Sequence, residues 1–97
     1  MDTITPSEVK ERLSKGEKLN LLDVREDEEI AQGAIPGVQH IPLGELPERY
    51  REIPQADEII VICRSGNRSG KACEYLASVG VTGLKNMVGG MLEWEKL

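Results

Sequence analysis

The chain has 97 residues, 39% apolar and 30% charged, which is the make-up of one small globular domain spanning 1–97 and not of a disordered segment. Seventeen acidic against twelve basic side chains leave a formal charge of −5, and one Trp, two Tyr and no Phe supply neither the basic footprint nor the stacking platforms that nucleic-acid binding needs. No apolar stretch approaches the roughly 18 residues that cross a membrane, so neither nucleic acid nor membrane is an expected partner.

Residues Met1 to Pro6 carry no basic region followed by an apolar one, so no export leader is expected. Thr5 is placed to cap a helix, with Pro6 at its first position and Glu8 three residues after the cap to close a capping box. Val9 and Leu13 share one face, and Gly16 is the stop. The run Leu19–Val24 reads as a buried strand ending in Asp23-Val24-Arg25. Glu26 to Glu29 read as a solvated helix start or loop in preference to a metal site.

Gly33-Ala34-Ile35-Pro36-Gly37 is turn chemistry, followed by a short strand Val38–Ile41. Gly44–Ile53 reads as a short helix with Pro47 in its first turn. Ile59-Ile60-Val61-Ile62 are four β-branched residues in a row, the pattern of a central parallel strand buried on both faces. A helix follows from about Ser69 to Val79 with Gly80 as its stop. Leu84–Val88 is a last strand, Gly89-Gly90 a turn, and Met91–Leu97 a terminal helix. Strands alternating with helices predict an α/β domain: a small, mostly parallel central sheet flanked by helices on both faces.

The segment that carries chemistry is Cys63-Arg64-Ser65-Gly66-Asn67-Arg68-Ser69. A cysteine stands at the carboxyl end of a buried strand, before a short loop and a helix N-terminus, where open α/β sheets bind ligands. Loop N–H groups can curl into an anion nest, the helix terminus adds positive potential, and Arg64 and Arg68 add full charges. All three favour the thiolate and make Cys63 a nucleophile. An inert core cysteine is not expected among two Arg, two Ser, an Asn and a Gly. Cys73, about one turn into the helix, reads as a small apolar core residue. Two cysteines are too few for a disulfide framework, and the chain reads as a cytoplasmic protein with reduced thiols. Gly66 to Lys71 imitates a phosphate-binding loop, but it is one residue short between the glycines and has Ala72 in place of Ser or Thr. No Cys or His cluster has metal-ligand spacing, and no cofactor is expected.

Cys63 to Ser69 resembles the active-site loop of rhodanese-like sulfurtransferases. The resemblance extends to Leu21-Leu22-Asp23-Val24-Arg25-Glu26, to Gly33 through Leu43, and to Val88-Gly89-Gly90-Met91-Leu92-Glu93-Trp94, in the family's order. Ala34 stands where the family usually has His, and the terminal helix is shorter than in most members. The resemblance implies that Cys63 carries a sulfane sulfur as a persulfide. A small anionic sulfur donor such as thiosulfate loads it, and a thiol or cyanide acceptor unloads it. A protein sulfur donor or acceptor is a variant of the same chemistry.

Within the loop, Arg64 is expected at the mouth, facing an anionic donor. Arg68 is expected to point back and brace the loop, against Asp23. Asp23 and Arg25 are read as loop support, an ion pair or backbone bond. Ser65, Asn67 and Ser69 are expected to act through backbone N–H groups more than through side chains, while Gly66 permits tight turning. His40 is read as satisfied by neighbouring backbone, with no catalytic task.

Two other classes compete. A phosphatase or arsenate reductase of the cysteine-loop type uses Cys-x5-Arg, whereas Cys63 to Arg68 is Cys-x4-Arg, a loop that suits one sulfur atom better than a tetrahedral oxyanion. A partner-binding module that keeps the fold and loses catalysis would be expected to lack the cysteine, and Cys63 is present.

Overall fold

The computed structural model describes residues 2–97. Five strands and five helices alternate: β1 (Asp2–Ile4), α1 (Pro6–Ser14), β2 (Leu21–Asp23), α2 (Asp27–Ala31), β3 (Gln39–His40), α3 (Leu46–Arg49), β4 (Ile59–Ile62), α4 (Asn67–Ser78), β5 (Leu84–Met87) and α5 (Gly90–Trp94). The strands form one sheet in the order β1-β5-β4-β2-β3, every pair parallel. The α/β architecture expected from the sequence is therefore present.

The β-branched run Ile59–Ile62 is the middle strand, buried at every position. Its alternate side chains feed two separate cores. Val61 packs with Leu22, Val24, Leu46, Ala72 and Leu76 beneath α3 and α4. Ile60 and Ile62 pack with Ile4, Val9, Met87 and Met91 beneath α1 and α5. Each fully buried aliphatic side chain contributes about 1.5–3 kcal/mol relative to exposure. The sheet thus holds Cys63, the next residue, at a fixed height over a rigid floor.

Several expected elements shift. The capping box forms as read: the Glu8 N–H donates to the Thr5 hydroxyl, and the Thr5 N–H donates to the Glu8 carboxylate. Gly16 follows α1 with φ +83, a conformation that favours glycine. β2 is shorter than the expected 19–24 strand, and the segment around Pro47 is a 3-10 turn, the single turn of α3, and a second 3-10 turn. α4 starts at Asn67, two residues before the expected Ser69, because Gly66 takes φ +101 and turns the chain straight into the helix. β1 has no counterpart in the sequence reading. Only Ile4 of its three residues is buried, and β1 exists because the outer edge of β5 offers Lys85, Asn86 and Met87 as partners.

Candidate active site

β4 ends at Ile62 and presents Cys63 between the ends of its neighbours β2 and β5. The loop that follows is pinned from above by α5. The Met91 N–H donates to the Cys63 carbonyl at 2.9 Å, and the Leu92 N–H donates to the Arg64 carbonyl at 3.0 Å. This close approach requires a glycine at position 90, where φ is +58 and a Cβ would overlap the carbonyl groups of Cys63 and Arg64. The Gly89-Gly90 turn is thus part of the site's architecture, a fact that its sequence signature as a turn did not convey.

The Cys63 side chain is fully buried. The Gly66 N–H donates to its Sγ at 3.0 Å, and the Ser69 Oγ lies 3.3 Å from the same sulfur. Burial pushes the Cys63 thiol up. Bonds from the Ser69 side chain and from the N–H groups of Ser69, Gly66 and Ser65 pull it down further than burial raises it, so the net direction is towards the thiolate. Cys73, also buried, has no such donors: burial first, and then the nearby Cys63, push it up to about 11. Both cysteines are free.

The two loop arginines occupy different places. Arg64 is exposed and makes no ion pair among the described residues. Arg68 makes a two-pronged bond to Glu29 on α2, at 2.6 and 2.8 Å, and the Arg68 bond holds the Glu29 carboxyl at about 2. The expected partner, Asp23, is not the one used. Asp23 is fully buried and already committed to Arg25, which approaches with Nε at 3.1 Å and Nη2 at 3.0 Å and also donates its backbone N–H. Arg25 Nη2 reaches on to the Gly33 carbonyl at 2.9 Å, joining the end of β2 to the turn after α2. His40 Nε2 lies 2.6 Å from the Arg25 carbonyl; a carbonyl only accepts, so this nitrogen carries the proton, while Nδ1 faces the Asp27 carboxylate at 3.7 Å.

Of the remaining loop residues, Ser65 and Asn67 are exposed, while Ser69 is fully buried. Ser69 was expected to act more through its N–H than through its side chain, yet its hydroxyl touches both the sulfur and Asn86. Sequence reasoning missed two residues. Glu29 was hidden in an acidic run, where three neighbours of the same type disguise the one that is paired. Asn86 lies in β5 with its Nδ2 donating to the Gly66 carbonyl at 3.0 Å and its Oδ1 accepting from Ser69. Its signal was an amide between the strand's Lys85 and the apolar Met87, which burial obliges to find partners. Among the described residues no group of three or more His, Cys, Asp or Glu side chains could hold a metal ion.

A cavity of about 650 Å³ lies at the opposite end of the sheet, lined by Tyr50, Pro54, Gln55, Ile59 and Val79 among others. It contains neither cysteine. The donors converge on the Cys63 sulfur, away from this cavity.

Residues 5–97 match the family description "Rhodanese-like domain". The chain is 36% identical over 96 residues to a sulfurtransferase of Allochromatium vinosum, covering 99% of this chain and 90% of that one. It is 31% identical over 106 aligned positions to the thiosulfate:glutathione sulfurtransferase of Homo sapiens, covering 95% and 91%. Among solved structures, a rhodanese-like domain protein from Staphylococcus aureus superposes with a TM-score of 0.90 at 35% identity, over 97% of this chain and 91% of that one.

Proposed function

The chain belongs to the rhodanese-like domain family, and on that premise we propose that it is a sulfurtransferase carrying sulfane sulfur on Cys63. The observation that carries this reading is the cradle around one sulfur: the Gly66 N–H at 3.0 Å and the Ser69 hydroxyl at 3.3 Å, at the amino end of a twelve-residue helix.

The Cys63 thiolate attacks the outer sulfur of an anionic donor such as thiosulfate. A new sulfur–sulfur bond forms to Cys63, the donor's own sulfur–sulfur bond breaks, and sulfite departs with the electron pair. An acceptor thiolate or cyanide then attacks the bound sulfane sulfur, and the Cys63 thiolate leaves. Neither step requires a general acid, because sulfite leaves as a stable anion and the donors around Cys63 favour its thiolate. The N–H groups of Ser65, Gly66 and Ser69 hold negative charge at a fixed position through the cycle. Exposed Arg64 draws the anionic donor to the mouth, and Ser65 and Asn67 border it. Since Cys63 is fully covered, loading requires the loop to open around the donor. Arg68 on Glu29 and the Asp23–Arg25 pair keep the surrounding frame in place. The relative named for thiosulfate and glutathione supports thiosulfate as donor and a small thiol as acceptor, and free cysteines suit a reducing cytoplasm.

A phosphatase reading has less support. Both terminal nitrogens of Arg68, the arginine that would have to grip an oxyanion, are on Glu29. Intact mass spectrometry after incubation with thiosulfate tests the proposal, beside a phosphate-release assay. One added sulfur atom, lost on addition of cyanide and absent in Cys63→Ser, is the expected result. Phosphate release without a sulfur adduct would overturn it.

A further inference from the structure

Asn86 is absent from the sulfur-transfer steps above, yet it bonds both to the loop and to the residue touching the sulfur. Its amide orientation is determined by its partners. The Gly66 carbonyl can only accept, so Nδ2 must face it, at 3.0 Å. Oδ1 is thereby turned to Ser69 and takes the hydroxyl proton of that residue. A serine hydroxyl has one proton and two lone pairs. With the proton given to Asn86, Ser69 presents lone pairs to the Cys63 sulfur 3.3 Å away.

That arrangement suits a thiol, whose S–H donates to Ser69 and completes the chain Cys63 to Ser69 to Asn86. It does not suit a thiolate, which needs the Ser69 hydroxyl to turn and donate to sulfur. We propose that Asn86 is a positioning residue that competes with Cys63 for the single Ser69 hydroxyl proton, so that ionisation of the sulfur is coupled to the orientation of one hydroxyl. When Cys63 gives up its proton to solvent, the Ser69 hydroxyl leaves Asn86 and turns to the sulfur. When Cys63 is protonated again, the hydroxyl returns. Through Nδ2 the same side chain acts in the opposite sense, because it anchors the Gly66 peptide whose N–H donates to the sulfur.

Other charged or titratable groups near the sulfur stay constant in this account. These are exposed Arg64 in the loop, Arg68 and Cys73 on α4, Glu26 and Glu29 on the α2 side of Arg68, the closed Asp23–Arg25 pair at the end of β2, and exposed Glu93 on α5.

The consequence for sulfur transfer rests on Cys63 being the sulfur carrier, but the test does not, because ionisation is read directly from thiolate ultraviolet absorbance against pH. Cys73, at about 11, titrates above the window of interest. Two double-mutant cycles isolate the coupling through Ser69. Asn86→Ala frees the hydroxyl and loosens Gly66; in the Ser69→Ala background only the loosening remains. The Cys63 midpoint is therefore expected to rise by about 0.5–1 pH unit more on Asn86→Ala in the Ser69→Ala background than in native Ser69, the worth of one hydrogen bond. Asn86→Asp tightens the hold on the hydroxyl, so its cycle has the opposite sign: a larger rise with Ser69 present than with Ser69→Ala. Either cycle decides the matter if one of the two Asn86 variants fails to fold. Additive shifts, or a coupling of the reverse sign, would overturn the proposal even if thiosulfate still loads Cys63. A failure to load sulfur with the coupling intact would instead count against the functional reading alone.

Discussion

Cys63 and Cys73 lie ten residues apart, both buried, and their surroundings push them in opposite directions. Around Cys63, backbone donors, joined by the Ser69 hydroxyl once the sulfur is ionised, outweigh burial. Around Cys73, the neighbours belong to the apolar core beneath α4, and burial prevails. The difference teaches that burial alone does not decide the reactivity of a thiol; what decides it is how many N–H and O–H groups are aimed at the sulfur when water is removed. Loop and helix interior share one chain segment, so the contrast can be broken at single residues.

The largest effect is expected at the sulfur atoms themselves. Cys63→Ser should fold normally and lose sulfur transfer completely, since a hydroxyl is far too weakly acidic to serve. Cys73→Ser should keep transfer and lose about 1–3 kcal/mol of stability, because it puts a hydroxyl without partners into an apolar site. Thermal melts and a thiosulfate:cyanide assay on the pair measure both; full activity in Cys63→Ser would erase the distinction.

Next in size is Gly90→Ala. The added methyl would collide with the carbonyl groups of Cys63 and Arg64 at a positive φ, so α5 must move away from the loop. A loss of about 2–4 kcal/mol in denaturant unfolding is expected. Gly80→Ala, with positive φ but open space around it, should cost only about 1 kcal/mol. Equal costs would mean that the α5 turn does not support the loop.

The Glu29–Arg68 pair gives a pH-dependent effect. Glu29 ionises at about 2 in the folded chain against an ordinary 4.5, so the pair's contribution is present in full above about 4.5 and is lost as pH falls towards 2. Glu29→Gln should flatten the stability profile in that window and leave its shape near neutrality unchanged. An acid limb as steep as that of the native chain would show that the pair carries no stability. Glu58, held equally low by Arg12 and then Lys85 at the other end of the sheet, is the internal control that should retain its own share of the slope.

Arg64→Ala should have the smallest effect. Its charge is exposed and screened, so KM for thiosulfate is expected to rise about two- to fivefold with kcat and folding little changed. An unchanged KM would remove Arg64 from the mouth of the site.

What the sequence made legible divides along the same line as the cysteines. Local, repeated signals were readable: the Thr5 capping box, Gly16, and the β-branched run Ile59–Ile62 that positions Cys63. Partner identities across the fold were not. Arg68 reads as seeking a buried carboxylate, and Asp23 looks available until Arg25, two residues on, is seen to occupy it. Glu29 and Asn86 were missed because each depends on a contact across many residues, 39 from Glu29 to Arg68 and 17 from Ser69 to Asn86. β1 was missed because its pairing belongs to the free edge of β5 and not to its own three residues.

The measurement that tests the central claim most directly is thiolate absorbance against pH for Cys63→Ser and Cys73→Ser side by side, each retaining one thiol. Cys73→Ser, which retains Cys63, is expected to titrate below the ordinary thiol value of 9.0, and Cys63→Ser, in which burial still acts on Cys73, above it. Coincident midpoints, or the reverse order, would contradict it.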